Sequence, residues 1–382
     1  PLENSSIELV GNSNSPPKCQ GSCIANNSPT MNKFSLYCWE GYEVREILGK
    51  FAESRGLLVE SESLTSDSEA SSRVILGKAI NPSILNINNP FPRKRLFPAK
   101  RIHALDRGDL PEWTATILPW TESLCQWAYS DAGELIGIPQ RFGPFNFVIN
   151  TTLISQTVAQ DEGFCLLAIP ESAPKYGLLV FPEFNVFHIA LSLGLNPFSS
   201  FSKEDKQRFE FQAQQWFDHA AYISDDCRKL NTRLTERSIS MIMSAGMFSS
   251  GYLRREGFHE IYCITPEKGP IGGRGGICFV ELNTVPVDTP SYSDSIGFLE
   301  MILSPTIAKS VISNQVNCNP IVQMGDRRIF DELDPDLLKA LQWGTLEEDL
   351  ARCVEYDLPP DFDELLGIVN TTIKNSKDGR WL

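Results

Sequence analysis

Trp39-Glu40-Gly41-Tyr42 is the densest group of side chains suited to chemistry in this sequence. Its two aromatic faces suit stacking and attraction of organic cations, and the Glu40 carboxylate beside them answers positive charge. The competing reading is that Trp39 and Tyr42 cap the core. Glu183 and Glu281 are candidate carboxylates for acid–base work or for recognition of a charged ligand. Cys38, directly before Trp39, is a candidate nucleophile; against this stands burial, because no basic residue adjoins it. The four histidines (His103, His188, His219, His259) are isolated, and none has metal-ligand spacing. His188 lies on an apolar helical face and reads as a core residue. GGRGG at 272–276 has the glycines of a phosphate loop, but no Lys-Ser/Thr pair and no following helix, so a hairpin is expected. Neither GxSxG nor HExxH occurs. No cofactor and no metal are expected, and the chain is read as a non-enzyme.

These residues need elements to hold them. The run Phe34 to Cys38 is strand-like, and Val44, Ile47, Leu48, Phe51 and Ala52 follow with helical spacing. Gly56 stops that helix, and Leu57 to Glu60 begin a second strand. The loop holding Trp39 and Tyr42 therefore lies beyond the carboxyl end of a strand, the edge at which open α/β sheets bind ligands. Further along, SDSEASSRVILGKA predicts a helix and PSILNIN a strand closed by the loop Asn88-Asn89-Pro90. The segment 103–127 reads as an irregular connection. LIGIPQRFGPFNFVIN predicts a strand crossing Pro139 and Gly143, then a fresh one from Phe145 to Asn150, as when a chain passes between lobes. GLLVFPEFNVFHIALSLGLN predicts a strand, a short loop over Pro182 to Asn185, and a helix ending at Gly194. Residues 203–230 read as one charged amphipathic helix. SISMIMSAGMFSSGYLRREG reads as strand, turn and helix, with Ser244, Ala245 and Gly246 at the turn. The strand ICFVELNTVP returns the chain, a helix–turn–helix follows, and 327–382 read as helical. Repeated βα units imply a parallel sheet in each of two lobes.

Composition limits the partners. The chain has 382 residues, enough for two cores, and a net charge of −14 that argues against nucleic acid. Arg93-Lys94-Arg95 with Lys100-Arg101 is short, interrupted by prolines, and reads as a solvated loop. No run of about 18 apolar residues occurs to span a bilayer. Residues 1–32, rich in Asn, Ser and Pro, predict an extended arm, in which Cys19 and Cys23 are spaced for a small disulfide loop in an oxidising compartment. The remaining cysteines form no CxxC pair and read as buried thiols. A periplasmic location is expected, with a secretion signal removed ahead of Pro1.

LYCWEGYE, GIPQRFGPFNFVIN, SISMIMSAGMF and GGICFVELNTVP, followed by the SPTIAKSVIS helix, occur in an order that resembles the type II solute-binding proteins of ABC importers. The likeness spans about residues 33–325 and is to the spermidine/putrescine-binding family, with its opine-binding branch. It implies two α/β lobes closing over a ligand by hinge motion, joined by strands crossing near residues 138–142 and 277–281. Lobe one is then 33–139 with 280–325, and lobe two 140–279 with 326–382.

The family's stacking aromatics match Trp39, Tyr42 and Phe279, and its amine-binding acid matches Glu281. Elsewhere the pattern departs: Pro182 and Asn185 stand where the family has acids, Met243 where it has Trp, Asn317 where it has Tyr, and Asn88 and Pro90 where it has Ser and Tyr. A buried ammonium needs a carboxylate, so these losses disfavour a polyamine. Asn88, Asn185, Ser244 and Asn317 suit hydroxyls and amides, and Arg141 suits a bidentate carboxylate clamp. The ligand expected from the resemblance is an opine or other sugar–amino acid conjugate, its amine on Glu281, its acid on Arg141, stacked by Trp39 and Phe279. Gly41, Asn89, Phe142, Ala245 and Gly246 complete the expected contact set with Glu40. The implied function is the solute-binding component of an ABC uptake system, a monomer that meets a small molecule and a membrane permease. Alternatives are a polyamine binder, a transferase using Cys38, or a module whose closure is read by a receptor.

Overall fold

The structure is a computed structural model that describes residues 32–78, 81–110, 113–168, 173–376 and 379–382. The expected Cys19–Cys23 pair, and the arm apart from its last residue, lie outside them. Strands whose alternate side chains are all apolar need cover on both faces, and that is how the chain is organised. The first half runs β1 (Lys33–Cys38), α1 (Lys50–Arg55), β2 (Leu58–Ser63), α2 (Asp67–Ile75), β3 (Ile84–Asn88), α3 (Glu122–Cys125), β4 (Ile138–Asn150), α4 (Gln156–Glu162), β5 (Tyr176–Leu179), α5 (Pro182–Ser192) and α6 (Lys203–His219). It continues through β6 (Tyr222–Ser224), α7 (Cys227–Thr235), β7 (Met241–Gly246), α8 (Met247–Arg255), β8 (Ile261–Ile264), β9 (Gly276–Thr284), α9 (Tyr292–Leu303) and α10 (Pro305–Ile312). The last elements are α11 (Arg327–Phe330), α12 (Pro335–Ala340), α13 (Trp343–Ala351), β10 (Cys353–Glu355) and α14 (Phe362–Asn375).

The strand order is β2-β1-β3-β9-β4-β7-β5-β6, with β10 on β9 and β8 on β4. β1, β2 and β3 are mutually parallel, as are β5, β6 and β7, while β9 runs antiparallel to its neighbours β3 and β4, and β4 antiparallel to its neighbour β7. The two parallel groups are thus joined through β4 and β9, the crossing strands of a two-lobed mixed α/β fold. On β9, Cys278 and Val280 enter one buried cluster while Ile277 and Phe279 enter the other. This period of two places a core on each face of the sheet.

Several expectations need correcting. β4 is one continuous strand through Pro139 and Gly143, because β9 pairs with it from Ile138 to Pro144 and β7 and β8 take over from Phe145 onward. Pro182 to Asn185 are not a loop but the first turn of α5; Pro182 at the first helical position needs no amide partner and is preset in φ. The single helix expected over 203–230 ends at His219. β6 and the start of α7 follow, and β6 was hidden because three residues carry no readable period. β10 was missed for the same reason. The turn placed at Ser244, Ala245 and Gly246 is the end of β7, and α8 starts directly after it.

Two irregularities of register matter for the site. Opposite β9, β4 pairs Pro139 with Leu282 and Phe142 with Val280, so Gln140 and Arg141 together oppose Glu281. The extra residue of this bulge is what turns Arg141 toward Glu281. Opposite β4, β7 pairs Met243 with Phe147 and Ala245 with Asn146, leaving Ser244 as the extra residue at φ 57°. Its hydroxyl accepts from Asn185 Nδ2 at 2.7 Å and meets His188 Nδ1 at 2.9 Å. Burial pushes the His188 imidazole down to about 3, so the ring stays neutral against Phe145 O at 2.8 Å. Ser244→Ala strips both partners of a buried hydroxyl and is expected to lower stability by about 1–3 kcal/mol in urea unfolding.

Candidate functional site

The carboxyl ends of the parallel strands converge. β1 leads into Trp39 and Glu40, β2 into Leu64 and Thr65, β5 into Val180 and Phe181, and β6 into Asp225, Asp226, Cys227 and Arg228. All of these residues line one cleft of about 280 Å3. In open α/β sheets ligands bind at this edge. Phe145, Phe248 and Phe279 close the apolar wall, and Asn88, Glu281, Asn317 and Asn319 supply polar contacts.

The aromatic wall is packed edge to face. Phe145 meets Phe181 at 5.4 Å and Phe248 at 4.8 Å, and Trp39 lies 5.4 Å from Phe181. Trp39 is fixed from behind, donating from Nε1 to Asp67 Oδ1 at 2.9 Å. Asn88 donates to the same carboxylate through its amide N at 3.2 Å and through Nδ2 at 3.1 Å, which leaves its buried Oδ1 without a hydrogen-bond partner. Asn319 Oδ1 is likewise unpartnered.

Charge in the cleft is one-sided. Glu40, Asp225, Asp226 and Glu281 line it, against Arg228 alone, and Arg228 is bound to Asp226 at 3.0 Å. Glu281 is buried, and burial raises its carboxyl against the lowering effect of Arg141.

Of the residues expected from sequence, Trp39, Glu40, Asn88, Phe279, Glu281 and Asn317 line the cleft. The others stand behind it. Arg141, expected as a clamp for a ligand acid, is fully buried: it holds Glu281 Oε2 through Nε at 2.8 Å and Nη2 at 2.6 Å, and Glu40 O through Nη1 at 2.6 Å. Tyr42 lies under that guanidinium, 4.2 Å from ring centre to carbon, with its hydroxyl donated to Gln140. Asn89 spends its amide on Tyr356 O and Val280 N, and Asn185 on Phe181 N, Leu179 O and Ser244. Gly41, at φ +107°, passes so close to Asn317 that an added Cβ would stand 2.8 Å from the asparagine's own. Phe142 packs edge-on to Trp120, Ala245 is core, and Gly246 lies against Pro144 O.

Glu183 and Glu281 do not pair; Glu183 meets Asp67 instead. Cys38 is buried, and desolvation, reinforced by Glu43, pushes its thiol well up, the opposite of an activated nucleophile. Among the described residues no group of His, Cys, Asp and Glu is placed to hold a metal. Sequence reading missed Phe145, Phe181, Phe248, Asn319 and the acidic turn Asp225–Asp226. For that turn the missing signal is β6, whose end delivers it.

The fold is that of the type II periplasmic binding proteins. The spermidine/putrescine ABC transporter substrate-binding protein PotD from Streptococcus pneumoniae, solved with calcium and HEPES, matches with a TM-score of 0.62 at 15% identity, over 91% of this chain and 100% of that one. A putative spermidine/putrescine ABC transporter protein from Listeria monocytogenes matches at 0.66 and 13%, over 91% and 99%. MotA from A. tumefaciens B6, in complex with glucopine, matches at 0.62 and 11%, over 91% and 100%. No family model matches the sequence, and no curated protein does.

Proposed function

We propose that the chain is the solute-binding component of an ABC uptake system, working outside the cytoplasm, and that it captures a small amine-bearing organic solute between two lobes without altering it. The observation that carries this reading is the cleft itself: an aromatic box lined by four carboxylates, of which Glu281 and Asp226 are held by Arg141 and Arg228, and Glu40 and Asp225 have no ion-pair partner among the described residues. An ammonium gains cation–π attraction from such faces and charge-assisted hydrogen bonds from such carboxylates. We assign lobe one to 33–139 with 280–325 and lobe two to 140–279 with 326–382. Packing of α12 on α8 and of α14 on α5 and α6 supports the second assignment. The structural neighbours include a spermidine/putrescine transporter's substrate-binding protein and a binding protein in complex with glucopine, which is in keeping with a small organic solute.

An opine or other hydroxyl-rich conjugate is the second reading, favoured by Asn88, Asn317 and Asn319. Its acid would have to meet Arg228 at the rim, since the Arg141 donors face Glu281 and backbone carbonyls. Titration calorimetry with putrescine, spermidine and glucopine, beside native mass spectrometry of co-purified solute, tests both. Heat from a polyamine that is lost in Glu281→Gln and reduced in Asp225→Asn/Asp226→Asn supports the amine reading. Glucopine heat alone, sensitive to Arg228→Ala, transfers the assignment to the opine. No heat from any of them and no co-purified solute refutes solute capture.

A further inference from the structure

Two buried carboxyls lie at the seam between the halves: Glu183 is hydrogen-bonded to Ser66 and Ser68, the residues on either side of Asp67, and among the described residues no cation is paired with either. Asp67 opens α2, beside the β1–β3 group, while Glu183 lies in the first turn of α5, on the other group. Each is 1% exposed. Glu183 accepts from Ser66 Oγ and, at 3.0 Å, from Ser68 N, so a carboxylate of one half caps a helix of the other. Among the described residues Asp67 accepts from Trp39 and Asn88.

The charged and titratable groups facing the pair come from every element around it. Glu69 lies a turn along α2 and acts on Glu183. The Tyr356 phenol, after β10, faces both carboxyls, and its buried oxygen has no hydrogen-bond partner. Arg95 and Asp357 lie beyond Tyr356 and are paired with Asp363 and Lys94. His188, further along α5, is neutral and bonded elsewhere. Glu40, after Trp39, faces Arg228 and Asp226. Two carboxylates in such a place do not both stay ionised. Burial first, and the Glu183 charge second, push Asp67 up to about 8, and burial raises Glu183 as well.

We propose that Asp67 and Glu183 share one proton when the lobes are together, and that taking up this proton is part of closing the cleft. The pair then acts as a latch, and Asp67 as a positioning residue that aims Trp39 and Asn88 at the solute. Its effect on capture rests on the cleft reading above; the latch itself does not. With the lobes apart, water reaches both carboxyls and each ionises in the ordinary carboxylate range. Closure then consumes one hydronium: a carboxylate becomes a carboxylic acid, a water is released, and no other bond changes. The closed form holds the extra proton from about pH 4 to about 8. Closure is therefore at full strength below that window, and weakens by at most about tenfold per pH unit as pH rises through it.

The test uses solute-free protein, wild type, Asp67→Asn and Glu183→Gln. Carbon-13 NMR of side-chain carboxyls and small-angle X-ray scattering are followed from pH 5 to 9.5. The expected result is one carboxyl signal with a midpoint above pH 7 that Asp67→Asn lacks and that moves down in Glu183→Gln, and a wild-type radius of gyration that grows across that midpoint. Both variants, whose amide donates where the shared proton sits, stay compact throughout. The proposal is overturned if every carboxyl titrates below about pH 5.5, or if wild type and Glu183→Gln give superposable profiles. Lack of binding by spermidine and glucopine at any pH sinks the cleft reading alone, because neither readout here involves a solute.

Discussion

Arg141→Met is expected to lower stability by about 3–5 kcal/mol, read as a shift of the urea midpoint, because it leaves a buried carboxylate with no counter-charge. The pair it breaks is buried at the floor of the cleft: both side chains are at most 5% exposed, and the guanidinium grips Glu281 through two nitrogens. The same substitution frees Glu40 O, which has Arg141 Nη1 at 2.6 Å, and removes the cation above Tyr42. A larger loss than for any exposed pair is therefore expected; Arg327→Ala, which parts an exposed contact to Asp331, should cost less than about 1 kcal/mol. The double variant Arg141→Met/Glu281→Met removes both charges and should recover most of the loss, since a desolvated pair is worth little more than well-packed apolar groups. If the single and double variants unfold at the same midpoint, the uncompensated charge is not the cause.

Trp39→Ala is expected to weaken the tightest-binding of putrescine, spermidine and glucopine by about 2–4 kcal/mol in calorimetry, roughly 30- to 1,000-fold. The indole contributes a cleft wall, closes against Phe181 at 5.4 Å, and donates to Asp67 at 2.9 Å. Trp39→Phe keeps the wall and removes the donor, so it should retain much of the affinity. Equal losses in the two variants would mean that the hydrogen bond to Asp67, and not the stacking face, carries the effect.

How much of this was legible in the sequence depends on the length of each element. The long signals were read correctly: the βαβ opening that brings Trp39 to a strand's end, and β9 with Phe279 and Glu281. What escaped was short or non-local. β6 is three residues long and its neighbours are helical, so its acids were assigned to a helix face. The direction of Arg141 is set by a bulge, and a bulge is a relation between two strands that no single segment displays. Asp67 lies at the start of the helix expected over SDSEASSRVILGKA, and nothing near it in sequence announces Glu183. Tyr42 carried the right residue type for a ligand wall, but it is buried under Arg141.

The interleaving of β3 with β9 has a consequence for how the protein is made. Thr284 gives its hydroxyl to Leu85 O, a partner 199 residues earlier. A ribosome-bound chain that has not yet produced β9 leaves β3 with an open hydrogen-bonding edge, and the first half of β4, Ile138 to Pro144, without its strand partner. Closing so long a loop is slow, and unpaired edges invite association with other chains. Folding is therefore expected to be a late, post-synthetic event, with dependence on holding factors greatest for fragments that stop short of residue 284.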